Sequence, residues 1–78
     1  MIISEQIKAA RALLGWDQAS LARHADVGVA TVKRLESRPG VVGGTMETLM
    51  RVKAALETAG VEFIGSPEDA PGVRLRKK

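Results

Sequence analysis

The chain has 78 residues, enough for one domain near the lower size at which an apolar core holds without disulfides, metals or a partner copy. With no cysteine and one histidine, it lacks the means for a disulfide framework or a thiolate metal site, and a cytoplasmic setting is expected. The net charge of +3 is concentrated at the C-terminus, where residues 74–78, RLRKK, hold four basic groups; the first 73 residues carry eight basic against nine acidic groups, net −1, so only local clustering can point to an anionic partner.

The opening MIISEQIK lacks the apolar run of a signal peptide, and no stretch approaches the roughly 20 apolar residues of a membrane span, so no membrane association is expected. The spacing of Ile3, Ile7, Ala10 and Leu14 predicts a helix over residues 5–14 with that stripe buried and Ser4 as its cap. Gly15 supplies a left-handed stop, and Asp17 stands where the next helix needs an acceptor for its free N–H groups. Trp16, between the two signals, is expected to pack on the edge of the core rather than bind a ligand.

Residues 18–37, QASLARHADVGVATVKRLES, read as two short apolar-periodic helices separated by Asp26-Val27-Gly28. Leu21, Ala22 and Ala25 form the inner stripe of the first, Val32 and Leu35 that of the second, and small Ala22 lets the two cross closely. Asp26 tolerates positive φ, Val27 is an apolar plug, and Gly28 is an acceptable helix cap. Val29, Ala30, Lys33, Arg34 and Ser37 fall on the opposite side of the second helix and stay exposed. This is the layout of a helix-turn-helix, whose free face suits a DNA major groove.

A loop of small and breaker residues, 38–44, precedes a long helix that begins after Thr45 and stops before Gly60, with Leu49, Val52, Leu56 and Ala59 inward. The pattern then alternates. Residues 61–64 and 73–76 are expected as strands of a hairpin with a turn-rich connection over 65–72, Val61, Phe63, Val73 and Leu75 sharing one face and Glu62, Arg74 and Arg76 the other. An isolated two-stranded ribbon is marginal in water, so pairing across a two-fold axis is expected; the alternative is that the hairpin only covers the helical core.

On these residues, notably RALLGWDQASLA and ATVKRLES, residues 4–60 resemble the phage repressor and Cro type helix-turn-helix family. The resemblance implies a mainly α fold, a four-helix lambda-repressor-like domain over residues 1–60, here followed in the same domain by a short C-terminal β-hairpin and basic tail over 61–78. It implies a transcriptional regulator, usually a homodimer on a palindromic operator, and an ion pair between Arg11 and Glu36. Gln18 resembles the family's phosphate-contacting glutamine. Two positions depart from the family, Asp26 where a turn glycine is common and Gly28 where serine or threonine caps the second motif helix. The hairpin stands where phage repressors carry a fifth helix, and is similar to the strand-mediated dimerisation element of Cro proteins.

By position, Val29, Ala30, Lys33 and Arg34 are the candidates for base edges. Arg34 is foremost, because a guanidinium can meet the O6 and N7 of guanine, while Val29 and Ala30 can touch only thymine methyls. Gln18, Ser37, Arg38 and Thr45 are the candidate phosphate contacts, and Arg23 adds to the basic cluster. The bland alternative for Lys33 and Arg34 is a solvated helix face; for Arg11 and Glu36, two separately hydrated charges; for RLRKK, a solubilising end rather than a DNA-steering arm. His24 is expected to be exposed and without function. No catalytic constellation or GxxxxGK-type phosphate loop occurs, so neither enzyme activity nor a cofactor or metal is expected. Three regulatory roles remain open: a phage-like regulator, a restriction-modification controller, or the antitoxin of a toxin-antitoxin pair with a toxin partner. A protein-interaction module on the same scaffold is the alternative outside DNA binding.

Overall fold

Residues 2–38 and 45–76 are described by the structure, a computed structural model. Four helices, α1 (Ser4–Leu14), α2 (Gln18–Ala25), α3 (Val29–Glu36) and α4 (Met46–Thr58), lead into an antiparallel hairpin of β1 (Val61–Ser66) and β2 (Asp69–Leu75). This is the mainly helical architecture expected from the sequence. Ile7 and Ala10 of α1, Leu21, Ala22 and Ala25 of α2, Val32 and Leu35 of α3, Leu49, Val52 and Leu56 of α4 and Val61 of β1 are buried in one cluster. The expected stripes therefore converge, except that Ile3, Leu14 and Ala59 are only half-buried, and Ile2, which no periodicity singled out, is fully enclosed.

The start of α1 differs from expectation. Ser4 is the first helical residue and is fully buried, and Ile3 occupies the capping position. The work of a cap falls to Gln6, whose Oε1 accepts the Ile3 N–H at 2.9 Å. The Ser4 hydroxyl instead donates to the Arg38 carbonyl, tying the start of α1 to the exit of α3. Gly15, at φ 68°, and Asp17, which accepts the Ser20 N–H at 2.7 Å, end α1 and begin α2 as their side-chain chemistry requires.

The hairpin is longer than expected, with only Pro67 and Glu68 between its strands. Val61 faces Leu75 and Phe63 faces Val73 on the side packed against the core, and Glu62 faces Arg74 on the other. A β-bulge hides this regularity in the sequence: between the Ile64–Gly72 and Ser66–Asp69 pairs, two residues of β2, Ala70 and Pro71, oppose the single Gly65. Gly65 has φ 75°, and a Cβ there would overlap the Ala70 carbonyl, so only glycine fits. Buried Gln6 anchors the hairpin from α1, its Nε2 donating to the Gly72 carbonyl at 2.8 Å. Among the described residues no helix is long and apolar enough to cross a membrane.

Candidate nucleic-acid interface

Asp26 makes the turn between α2 and α3 by taking the left-handed conformation at φ 57°, while the Asp26 and Val27 N–H groups bond back to the Arg23 and Ala22 carbonyls. Val27 packs against the core as the plug, and Gly28 enters α3 in extended geometry with no side-chain acceptor at the cap. Arg51 of α4 reaches across to this turn. Its Nη1 donates to the Asp26 carbonyl at 3.1 Å and lies 3.7 Å from Asp26 Oδ2, and its Nη2 bonds Glu47 at 3.2 Å. Sequence reasoning missed this brace on the turn, because it joins residues 25 positions apart.

Helical spacing puts Val29, Ala30, Lys33 and Arg34 together on the exposed side of α3, with Val29 41% accessible. Ser37 and Arg38, at the C-terminal end of the same helix, are exposed too, the Ser37 hydroxyl donating to the Arg34 carbonyl at 2.8 Å. No carboxylate pairs with Lys33 or Arg34 among the described residues. Arg23 is exposed on α2. Thr45 is the cap of α4, its hydroxyl oxygen accepting the Thr48 N–H at 3.2 Å; of the loop over 38–44, residues 39–44 lie outside the described residues. Gln18 is half-buried, and its Nε2 donates to Glu36 Oε1 at 3.0 Å, so one of its two amide hydrogens is already engaged inside the protein.

Glu36 carries the one carboxylate of α3 and points inward, its side chain 4% exposed. Arg11 meets it in a fork, Nε to Oε2 and Nη2 to Oε1 both at 2.7 Å, and uses Nη1 to hold the Trp16 carbonyl at 3.0 Å. These two charges are thus paired and not separately hydrated. Burial works to raise the Glu36 pKa, but the hydrogen bonds from Arg11 and Gln18 and the attraction of Arg11 and Lys8 outweigh it and hold the carboxyl below its ordinary 4.5. The hydrogen bond to Glu36 in turn raises Arg11. With its negative charge matched internally, α3 presents cations alone on its outer face.

The depressed Glu36 pKa has a defined sign. The unfolded chain binds this proton more tightly than the native state, so the stabilisation is complete above about pH 4.5 and is lost as pH falls through the lower native value. Thermal melts from about pH 7 to about pH 2.5 are expected to show stability falling below about pH 4.5, and Glu36→Gln is expected to flatten part of that fall. An identical acid limb in both proteins would exclude Glu36 as its source.

The Trp16 and His24 rings stack with centroids 4.1 Å apart and 14° between planes, and His24 Nδ1 lies 2.8 Å from the Ser20 carbonyl. Trp16 thus packs at the edge of the core, and His24 has an intramolecular role that its exposure in sequence terms did not suggest. The open groove beside it, lined by His24, Ala25, Arg51, Ala54, Ala55 and Thr58, brings together one imidazole, one guanidinium and the Thr58 hydroxyl, with no carboxylate in its lining. No group of three or more metal-ligating side chains comes together among the described residues. No protein-family model matches the sequence, and no curated protein matches it.

Proposed function

We propose that the chain binds double-stranded DNA sequence-specifically and regulates transcription, in the manner of phage repressor and Cro type helix-turn-helix proteins, as a cytoplasmic homodimer on a palindromic operator. The observation that carries this reading is the face of α3, where Lys33 and Arg34 stand exposed beside Val29 and Ala30 while Glu36 is turned inward and neutralised by Arg11. An outward carboxylate at that helix would repel phosphates; pairing it removes the repulsion without removing the cations. Arg34 reads guanine, Lys33 the neighbouring base or phosphate, and Val29 and Ala30 thymine methyls. Ser37 and Arg38 hold phosphate beyond the end of α3, and Thr45 and the second Gln18 amide hydrogen add flanking contacts.

Selection of bound duplexes from a random pool at moderate salt tests the reading. An enriched palindrome, with half-sites about 34 Å apart along the axis and dependent on Arg34, is the expected result. A second reading, a protein-interaction module or an antitoxin that binds a toxin, has support in the exposed apolar residues Val29, Met46 and Met50, the last two 63% and 62% accessible. No enrichment at any salt concentration would favour that reading over DNA binding.

A further inference from the structure

We propose that Arg51 is a positioning residue for DNA recognition: from α4 it clamps the turn at Asp26 and so fixes the angle at which α3 presents Lys33 and Arg34. The inference rests on the DNA reading above and adds a residue that lies outside the exposed face of α3. Neither Asp26 nor Gly28 holds that angle by itself. Asp26 sits in the left-handed conformation that favours glycine, at φ 57°, and Gly28 gives the first N–H groups of α3 no side-chain acceptor. Val27 packs against the core, but apolar contact is non-directional and sets the depth of the turn more than its angle.

Directional contacts come from Arg51. Its Nη1 donates to the Asp26 carbonyl at 3.1 Å and lies 3.7 Å from Asp26 Oδ2. Its Nη2 donates at 3.2 Å to Glu47 Oε2, one turn earlier on α4, so the planar guanidinium is held at both prongs. α4 is itself anchored, with Leu49, Val52 and Leu56 in the core. A continuous path thus runs from the core through α4 and Arg51 to Asp26, just ahead of the Gly28 cap of α3.

The angle matters because α3 acts as a lever. Arg34 lies beyond Gly28 by about 9 Å along the helix axis, so a rotation of about 5° at the turn moves it by about 0.8 Å. Hydrogen bonds to base edges span only about 2.7–3.2 Å between donor and acceptor, and such a rotation breaks them. Attraction to phosphates falls gently with distance and survives it. A loosened turn therefore costs discrimination between sequences more than affinity for DNA as such.

Arg51→Ala in the full chain is compared with the parent protein in two ways, well below the melting temperature of either. Titration of the preferred and a scrambled duplex gives the ratio of affinities, and residual dipolar couplings of the backbone N–H groups give the orientation of α3 relative to α1 and α4. The expected result is a ratio about three- to fivefold lower, the size that an exposed brace supplies, with α3 reoriented or its couplings reduced while α1 and α4 keep their mutual orientation. The uncovered charges of Asp26 and Glu47 weaken both duplexes alike and cancel in the ratio. Gly28→Ser added to Arg51→Ala is expected to restore the ratio, because a cap hydroxyl pins the start of α3, and a Cβ there meets only Thr31 Oγ1, at 3.9 Å. Equal losses on both duplexes would make Arg51 a source of charge alone and overturn the proposal. Unchanged α3 couplings, or a ratio that Gly28→Ser leaves low, would overturn it as well. A parent protein that prefers no duplex overturns the DNA reading, and the couplings then still decide whether Arg51 sets the angle of α3.

Discussion

Arg11→Met is expected to destabilise the protein by about 3–5 kcal/mol, because it leaves the Glu36 carboxylate buried with the Gln18 amide as its hydrogen-bond donor and only the longer-range attraction of Lys8 to balance its charge. A domain of this size has on the order of 4–12 kcal/mol in total, so the change removes a large share and lowers the melting temperature by tens of degrees. Glu36→Leu is expected to cost less than Arg11→Met. Arg11 is the more accessible partner, 19% against 4%, so when orphaned it can recover hydration that Glu36 cannot. The double replacement, Arg11→Met with Glu36→Leu, is expected to restore most of the loss, since two apolar side chains of similar volume need no partner.

In the Arg11→Met protein the burial that raises the Glu36 pKa is no longer outweighed by Arg11, so acidification protonates the carboxyl from above its ordinary 4.5 and removes its buried charge, and the gap from the parent protein narrows as pH falls through that range. Arg51→Ala breaks exposed contacts with Glu47 and with Asp26 in the turn, in which the side chains are 46%, 77% and 97% accessible, and is expected to cost no more than about 1 kcal/mol. Denaturant unfolding of the four variants beside the parent protein measures the series. If Arg11→Met cost no more than Arg51→Ala, the fork between Arg11 and Glu36 would have no structural weight.

What the sequence made legible was local. Apolar spacing located α2, α3 and α4, and Gly15, Asp17 and Thr45 marked ends and starts because one side chain or one φ angle decides each of them. The outward set on α3 followed from the same periodicity. The misreadings share a cause in contacts between distant residues. Ser4 looked like a cap by position, but the Arg38 carbonyl and burial under the exit of α3 claimed its hydroxyl. The loop expected over 65–72 contained the residues that usually break strands, Gly65, Pro71 and Gly72, and here all three belong to strands, accommodated by a bulge that neither strand signals alone. Gln18 could be placed at the start of α2, whereas its bond to Glu36 depends on how α3 crosses α2.

That bond separates the roles expected on DNA. Arg34→Ala is expected to weaken binding to the preferred site by about 5- to 150-fold, the equivalent of about 1–3 kcal/mol, and to flatten the preference at one base pair of each half-site. Its melting temperature is expected to stay close to that of the parent protein, because the side chain is exposed and holds no carboxylate. Gln18→Ala is expected to weaken binding to all duplexes evenly and also to lower the melting temperature, since the buried Glu36 loses a hydrogen-bond donor worth about 1.5–3 kcal/mol. Lys33→Ala combined with Arg34→Ala is expected to reduce the salt dependence of residual binding by about one released counterion for each phosphate that these two side chains neutralise. Titrations of preferred and scrambled duplexes at several salt concentrations, with a melt for each variant, measure all three. If Arg34→Ala lowered affinity for scrambled and preferred duplexes alike, its guanidinium would be a phosphate anchor, and base reading would pass to Lys33 and the apolar pair ahead of it.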